Sequence, residues 1–364
     1  MFFTGKRIVL FSILFMLILS VRVFSAFPGL VEAYYSNGIY PQIGSFLRGI
    51  TGKLPFSIGD IVYGGVIIWL LVKVINFLWN YRNEKKNIRS RLPVYSWNVF
   101  MACCIVYLWF NVFWGLNYNR LPMMERFSHP VFMPGKQELV DLMDFLHEKM
   151  KEEYDVAVSE RKKLEDSRYV CEQAAKAYEI LSEKEPESCY SPVSIKTSLF
   201  SHIGNYLGYT GYYNPFTGEA QINGTIPEFS RPFVACHEIA HQLGWAKENE
   251  ANFTGFKAAI ASDLASFRYA AYFEMYFYSR RILYRIDSLL VKDMDGRLHP
   301  GVKEDYNRLV HFHQSFQNPV ETVIDKLYAR YLKANNQPSG KEAYAEGVLL
   351  LLSWKKENEL GIGN

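Results

Sequence analysis

Three long apolar runs occupy the first third of the chain, and they restrict its possible folds more than any other feature. The runs cover residues 8–26, 58–78 and 95–116 of the 364 residues. A helix of about 20 apolar residues crosses the hydrocarbon core of a bilayer, and each run reaches that length. Buried core helices can also be apolar, but three such runs separated by short connections favour a membrane anchor. We therefore expect three membrane-spanning helices, with a lipid bilayer as a partner.

The basic residues between these runs predict the orientation of the chain. Residues 80–93 carry five of them: Arg82, Lys85, Lys86, Arg89 and Arg91. Residues 31–55 carry only Arg48 and Lys53. Since loops rich in Lys and Arg stay in the cytoplasm, everything after about residue 117 is expected outside it. If the first run were instead a signal peptide cleaved near Ala26, the later topology would be unchanged.

The rest of the sequence predicts an α+β fold that is mostly α. Helical spacing of apolar residues and strongly helical composition predict helices at residues 135–185, 253–286, 306–331 and 341–354. A short strand is expected at residues 193–196, and turn residues at 214–218 between strand-like segments predict a hairpin. The expected organisation is a membrane anchor, residues 1–116, followed by an extracytoplasmic domain, residues 117–364, with a small antiparallel sheet.

The residues that point most directly to chemistry are His237, Glu238 and His241 in the segment Cys-His-Glu-Ile-Ala-His. The two histidines are four residues apart, so on a helix their imidazoles project from one face about one turn apart. That spacing allows both rings to bind one metal ion, and zinc is the metal that such sites most commonly hold. Glu238, beside them, is then free to act as a general base.

A catalytic zinc site needs a third protein ligand and one open position, and the sequence offers two acidic candidates. On a straight helix residue 248 would lie about 10.5 Å along the axis from His241, too far to share a metal ion. The chain must therefore turn after the motif, and Gly244 is the residue suited to that turn. After the turn, Glu248 and Glu250 are both possible ligands.

The order of these residues resembles the gluzincin metallopeptidases, in which His-Glu-x-x-His is followed by Glu-x-x-x-Asp or Glu-x-x-x-Asn. The sequence Glu-Asn-Glu-Ala-Asn at residues 248–252 fits the second motif. The resemblance implies a zincin-like domain in which His237, His241 and Glu248 bind Zn²⁺. Asn252 would then orient a ligand histidine by accepting its other ring N–H. It also implies that the substrate is a peptide or a protein.

The predicted hairpin offers a candidate surface for that substrate. In zinc peptidases an edge strand before the metal-binding helix commonly pairs with the substrate backbone. Residues 219–223 are our candidate for this edge, with Glu219, Ala220 and Gln221 as substrate-binding residues. A purely structural hairpin is the alternative. Several residues are candidates for stabilising an oxyanion: Tyr212, Tyr269, Tyr344, His311 and His313.

A second resemblance extends over nearly the whole chain. It is carried by the three spans, by WGLNY at residues 114–118, by NPFTGEA at 214–220 and by ACHEIAHQLG at 235–244. Together they resemble a family of bacterial membrane proteins, known mainly from Bacteroidetes, that is described only as a domain of unknown function. This resemblance implies a multi-pass protein of the bacterial inner membrane with a periplasmic domain.

These observations lead us to expect a membrane-anchored zinc metallopeptidase that hydrolyses peptide bonds outside the cytoplasm. A net charge of +3 is too small to indicate a nucleic-acid partner. One alternative is a non-catalytic, zinc-containing module that binds peptides or regulates a partner. An intramembrane protease is less favoured, because His237 is far along the chain from the last span and charged neighbours are costly in lipid. A disulfide between Cys171 and Cys189 is left open.

Overall fold

The computed structural model describes residues 5–83, 85–338 and 343–359, and this part of the chain is mostly helical. The three apolar runs lie in helices α1 (Gly5–Ser25), α4 (Ile58–Asn83) and α5 (Lys85–Phe113). Three segments of these helices are long and apolar enough to cross a membrane: Gly5–Ser25, Ile58–Arg82 and Leu92–Phe113. The prediction of three apolar spans is confirmed, while their orientation stays a prediction.

The connection between the first two spans is helical and packs against the later part of the chain. It contains α2 (Pro28–Leu30), a π-helical stretch (Val31–Ile39) and α3 (Tyr40–Thr51). Buried Tyr35 and Tyr40 form a small apolar cluster with Trp114, which follows the third span. The predicted division at residues 116 and 117 stays a prediction, but residues 31–51, which it assigns to the anchor, pack against the domain.

The helices that follow the spans are α6 (Lys136–Leu164), α7 (Ser167–Ser182), α8 (Ser201–Leu207), α9 (Arg231–Gln242), α10 (Glu248–Ala261), α11 (Ala265–Ile286), α12 (Ser288–Arg297), α13 (Pro300–Phe316), α14 (Pro319–Ala334) and α15 (Ala343–Glu359). Short 3-10 turns lie at Gly115–Asn119, Met123–Arg126, Pro186–Ser188 and Glu228–Ser230. The main apolar core lies between α6, α7, α9, α10, α11 and α15. Helix α9 is buried along its whole length, so this core holds it on several sides.

The predicted helix at residues 253–286 is two helices, so that expectation is wrong. Helix α10 ends at Ala261, and Ser262 has an extended backbone with ψ of 143°. The Ser262 hydroxyl accepts a hydrogen bond from the amide of Leu264, just before α11 begins. Short polar side chains compete in this way with helical hydrogen bonds, which accounts for the break.

Three short strands form one sheet in the order β1 (Ile195–Thr197), β3 (Glu219–Ile222), β2 (Gly211–Asn214). Strand β1 is parallel to β3, and β2 is antiparallel to β3. The small sheet is therefore mixed, and the prediction of an antiparallel sheet is wrong. The hairpin joins β2 to β3 as expected, whereas the chain crosses over through α8 between β1 and β2, which allows β1 to run parallel to β3.

The prediction that residues 219–223 form an edge strand is also wrong, because β3 is the central strand. Glu219, Ala220 and Gln221 are fully buried. The Glu219 carboxylate accepts hydrogen bonds from Lys196 Nζ at 2.6 Å and from the Gly59 amide at 2.6 Å. Glu219 therefore fastens the first turn of the second span to the sheet and cannot pair with a substrate strand.

This buried ion pair leads to a stability prediction. Replacing Lys196 with Met leaves the Glu219 carboxylate buried without its charged partner, which typically costs about 3 kcal/mol or more. We expect the Lys196→Met variant to unfold at clearly lower denaturant concentration or temperature than the wild type in detergent. The double variant Lys196→Met/Glu219→Gln removes the uncompensated charge and should recover part of the loss. Equal stability of the single variant and the wild type would contradict the structural role of the pair.

Candidate metal centre

Helix α9 carries the two histidines as the sequence predicts. Pro232 stands in its first turn, where a missing amide hydrogen does not interrupt the helix. His237 and His241 project from the same face, and their ring centroids are 4.7 Å apart. Both rings are buried, as is Glu238 between them. The local sequence thus places two imidazoles and one carboxyl side by side inside the domain.

A tight turn after α9 brings the third residue to this face. Gly244 has φ of +92°, a left-handed conformation that costs most other residues free energy. The Trp245 amide donates to Ala240 O at 3.1 Å, which closes the turn. The chain reverses here, and α10 begins at Glu248. The predicted bend at Gly244 is confirmed.

Glu248 joins the two histidines. Its Oε2 lies 3.3 Å from His237 Nε2 and 3.6 Å from His241 Nε2. One potential ligand atom from each of the three residues lies within 4.8 Å of the other two. Glu250, the other candidate, accepts a hydrogen bond from the Met123 amide at 2.9 Å instead. The geometry therefore favours Glu248 over Glu250 as a third ligand.

Neighbouring groups orient both rings. His241 Nδ1 lies 2.7 Å from Trp245 O, and since a carbonyl only accepts, that nitrogen carries the hydrogen. The other ring nitrogen of His241, Nε2, then faces Glu248. Burial lowers the pKa of His237, while Glu248 and Asn252, which lies one turn beyond Glu248 on α10, act from beside the ring to raise it. Asn252 therefore lies where the gluzincin resemblance places a ring-orienting residue.

Burial and close charges shift the pKa values of the cluster strongly. Burial raises the pKa of Glu238 to about 8, opposed by His241 and assisted by Glu248. For His241, burial acts to lower the pKa, but the charges of Glu248 and Glu238 outweigh it and raise the pKa to about 9. For Glu248, burial acts to raise the pKa, but the two histidines outweigh it and hold the pKa well below its usual range. The cluster thus keeps a buried carboxylate that requires a positive charge beside it.

The donor set fits a divalent transition metal, with zinc the best match. Two imidazole nitrogens and one carboxylate oxygen are a recurrent set in catalytic zinc sites with an open position. Among the described residues, the buried Oε2 of Glu238 has no hydrogen-bond partner. A buried carboxylate oxygen is costly to leave without a partner, so a group outside the chain is expected to meet it.

Two aromatic residues that the sequence analysis did not select also contact the cluster. The Tyr328 hydroxyl, from α14, donates to Glu248 Oε1 at 2.5 Å. Trp114 Nε1 donates to His241 O at 3.1 Å. Trp114 belongs to the WGLNY segment that carries the second resemblance, and this segment could have indicated Trp114 as a candidate site residue. Tyr328 has no comparable signal, because only the tertiary packing of α14 brings it here.

Trp114 also shows that His237, although far along the chain from the last span, lies close to the end of that span in space. Trp114 directly follows α5, the third span, and its ring lies against the ring of His241 with centroids 6.1 Å apart. Separation along the chain is therefore not separation in space. The cluster stands next to the end of a membrane-spanning helix.

Two of the tyrosines proposed to stabilise an oxyanion, Tyr212 and Tyr269, are hydrogen-bonded to carboxylates outside the cluster. The Tyr212 hydroxyl donates to Asp60, and the Tyr269 hydroxyl donates to Asp305 at 2.7 Å. His311 and His313 lie on α13, and the side chain of Tyr344 is outside the described residues.

Cys171 is buried, Cys189 is exposed, and both are free thiols. The open question of a disulfide between them is answered in the negative.

The edge of the sheet beside the cluster is β2. A Cβ atom on Gly211 would lie only 2.6 Å from Glu238 Oε1, so the first residue of this strand passes directly over the Glu238 carboxyl. Among the described strands, β2 pairs with β3 alone. Gly211, Tyr212 and Tyr213 are only half-buried. The edge strand beside the cluster is thus β2, a neighbour of the predicted edge strand β3.

The turn at Gly244 can be tested directly. The Gly244→Ala variant forces an L-residue into the left-handed region, which costs roughly 1–2 kcal/mol. Its Cβ would also meet the Tyr40 ring at 2.8 Å, so we expect lower stability and weaker metal binding. Gly296→Ala is a matched control, since a Cβ there meets nothing within 4 Å. Denaturant unfolding measures the stability of both variants, and zinc titration measures their metal affinity. Equal stability and equal zinc affinity of the two variants would contradict the role of Gly244 in the turn.

Comparison with known proteins identifies the family of this chain but gives no function for it. No curated protein and no solved structure matches the chain. Residues 35–352 match the family model described as "Protein of unknown function (DUF3810)". The match includes the second and third spans, the sheet and the whole cluster, and it confirms the expectation of a family without an assigned activity. The chain therefore belongs to the DUF3810 family.

Proposed function

We propose that this protein is a membrane-anchored, zinc-dependent metallopeptidase that hydrolyses peptide bonds of a peptide or protein substrate on the extracytoplasmic side. One observation carries the proposal. The donor atoms of His237, His241 and Glu248 lie within 4.8 Å of one another, and an adjacent buried carboxyl, Glu238, has an oxygen with no hydrogen-bond partner among the described residues. A set of three metal-binding side chains beside a carboxyl with a free oxygen is an arrangement that supports metal-assisted hydrolysis.

His237, His241 and Glu248 would hold Zn²⁺, which supplies a Lewis acid for the scissile carbonyl and lowers the pKa of the attacking water. Trp245 O fixes the orientation of the His241 ring, and Asn252 would orient the His237 ring beside which it lies. Tyr328, hydrogen-bonded to Glu248 Oε1, holds the carboxylate in position from the other side. These contacts pre-arrange the three donors within a buried site.

Glu238 would move the proton. As a carboxylate it accepts a proton from the attacking water, and it then donates that proton to the nitrogen of the departing amine. Burial raises the pKa of this carboxyl to about 8. Without a cation in the cluster, the carboxyl therefore retains its proton near neutral pH. A positive charge at the cluster favours its ionised form, which is the form that a general base needs.

Strand β2 would align the substrate. A free strand edge can add an extended peptide through main-chain hydrogen bonds. Because Gly211 lies against Glu238, a peptide that pairs with β2 passes the carboxyl at its first residue. This assignment replaces Glu219, Ala220 and Gln221, which are buried in the central strand.

A second candidate function is a zinc-containing peptide-binding or regulatory module without turnover. The closed surroundings of the cluster favour it, since Glu248 is only 2% exposed and Glu238 only 4% exposed. Both candidates require zinc, but only the peptidase requires the proton transfer by Glu238. The two are therefore separated by activity measurements and not by metal analysis.

Metal removal tests the proposed function. We expect the full chain in detergent to cleave members of a peptide library, to lose cleavage when zinc is removed with 1,10-phenanthroline, and to regain it with one equivalent of zinc. Metal content is measured alongside cleavage at each step. Zinc bound at one equivalent with no cleavage anywhere in the library would support the non-catalytic module, and cleavage by the zinc-free protein would exclude the proposed mechanism.

A further inference from the structure

A large cavity lies between the membrane-spanning helices and the domain. Its volume is about 980 Å³. Helix α4 contributes Trp69 and α5 contributes Val99 and Val106, while the domain contributes Phe216 and Tyr331. An α-helix about 10 Å across would fill this volume over roughly 12 Å, or about two turns. The cavity is thus large enough for part of a helical segment.

The cavity is apolar, and part of it lies alongside the membrane-spanning helices α4 and α5. Its lining on α5 extends from Asn98 to Phe110, which is about 18 Å along a helix. Aliphatic and aromatic side chains make up most of the wall, and Asn98 is the only amide among the lining residues of the described chain. Such a wall favours an apolar occupant, and its location between two spans gives access from the bilayer.

The end of the cavity near the domain adjoins the metal centre. Tyr328 lines the cavity, and its hydroxyl donates to Glu248. Tyr213 of β2 also lines it, and its ring lies 5.1 Å from the ring of Trp114, which donates to His241 O. The walls of the cavity and the walls of the metal centre therefore share residues.

Strand β2 gives a continuous track from the cavity to the candidate base. Tyr213 lines the cavity, and Gly211, two residues earlier, lies against Glu238. Two residues of a strand cover about 7 Å. A chain that leaves the cavity and pairs with β2 reaches Glu238 within a few residues, so the two features form one extended binding surface.

We propose that the cavity binds the membrane-inserted apolar segment of a polypeptide substrate, which is cut within a few residues of the membrane surface. The inference rests on the proposed peptidase function and names its substrate class. A polypeptide is favoured over a lipid acyl chain because the cavity continues into a free strand edge, and a strand edge recognises a peptide backbone. Peptides without a membrane-inserted segment are then poor substrates.

Binding is tested with the full chain in phosphatidylcholine and phosphatidylglycerol vesicles. The probe is a peptide with a 20-residue Leu/Ala segment that carries a benzophenone, joined to ten randomised residues and a fluorophore. Val106→Trp fills the cavity, and Ile105→Trp is the matched control, because Ile105 is not a lining residue yet is 50% exposed against 53% for Val106. Thermal unfolding of both variants checks that each remains folded.

We expect the benzophenone to crosslink to α4 or α5 in the wild type and in Ile105→Trp, and at least about 10-fold less in Val106→Trp. Cleavage should favour the anchored probe over the same ten residues without the apolar segment by at least about 10-fold, and the Val106→Trp variant should lose this preference. Equal cleavage of both peptides would overturn the inference and leave the peptidase function intact. Crosslinking without cleavage would support the cavity and count against the peptidase function. Stronger competition by a palmitoylated peptide than by the unlabelled Leu/Ala peptide would assign the cavity to an acyl chain and overturn the inference.

Discussion

Replacing Glu238 with Gln is expected to lower peptide hydrolysis by about 10²–10⁴-fold, the usual contribution of a positioned acid or base, while zinc binding persists. The amide has nearly the same size and shape as the carboxyl but cannot accept a proton from water. Stability should not fall, because burial already raises the pKa of Glu238 to about 8, which indicates that its charged form is disfavoured in the fold.

The measurement is kcat/KM on the best library peptide together with zinc content per chain. Glu274→Gln is a suitable control. Glu274 is a carboxyl on α11 whose pKa burial raises to about 7, and it does not belong to the histidine cluster. We expect this control to keep the wild-type rate. A Glu238→Gln protein that hydrolyses peptides at the wild-type rate would rule out Glu238 as the base.

The second large effect is expected for the third ligand. Glu248→Ala should weaken zinc binding by more than about 100-fold and abolish hydrolysis, because it removes the carboxylate oxygen that lies 3.3 Å from His237 Nε2 and 3.6 Å from His241 Nε2. Asn252→Ala should weaken binding by about 10–100-fold, the range typical of residues that orient a metal-binding histidine. Glu250→Ala should leave zinc affinity close to that of the wild type, since Glu250 binds the Met123 amide.

Competition titration with a zinc chelator measures this series in the full chain. The two glutamates are well matched, because both are buried and both lie in the first turn of α10. Unfolding curves without zinc separate loss of affinity from loss of fold. If Glu250→Ala lost zinc and Glu248→Ala retained it, the ligand set proposed above would be wrong.

Several features were predictable because each depends on nearby residues. The three apolar helices follow from the length of the apolar runs, which is a local property. His237 and His241 share a face because four residues make about one helical turn. Gly244 as the bend after α9 follows from its tolerance of positive φ. A bend at Gly244 is also enough to bring the start of the next helix back to α9, which made Glu248 and Glu250 both candidates, and the distances to the histidines favour Glu248.

Other features were mispredicted because they depend on contacts between distant parts of the chain. The hairpin was predicted, but the place of Glu219 in the sheet depends on β1, which pairs with β3 from the other side. The residues of a strand and of the segments that flank it do not show whether the strand lies at the edge or in the middle of a sheet. The break at Ser262 was missed because apolar and aromatic residues continue on both sides of it.

Local residue patterns are enough to predict the three apolar spans, the helix that carries both histidines and the order of the cluster residues, because helix periodicity and chain reversal act over a few residues. Packing between distant parts of the chain makes β2 the edge strand beside Glu238, brings Tyr328 to Glu248, and places Trp114, at the end of a span, against the histidine cluster. Those contacts join residues that are far apart along the chain, and packing of whole helices sets them. No local pattern of residues encodes such packing.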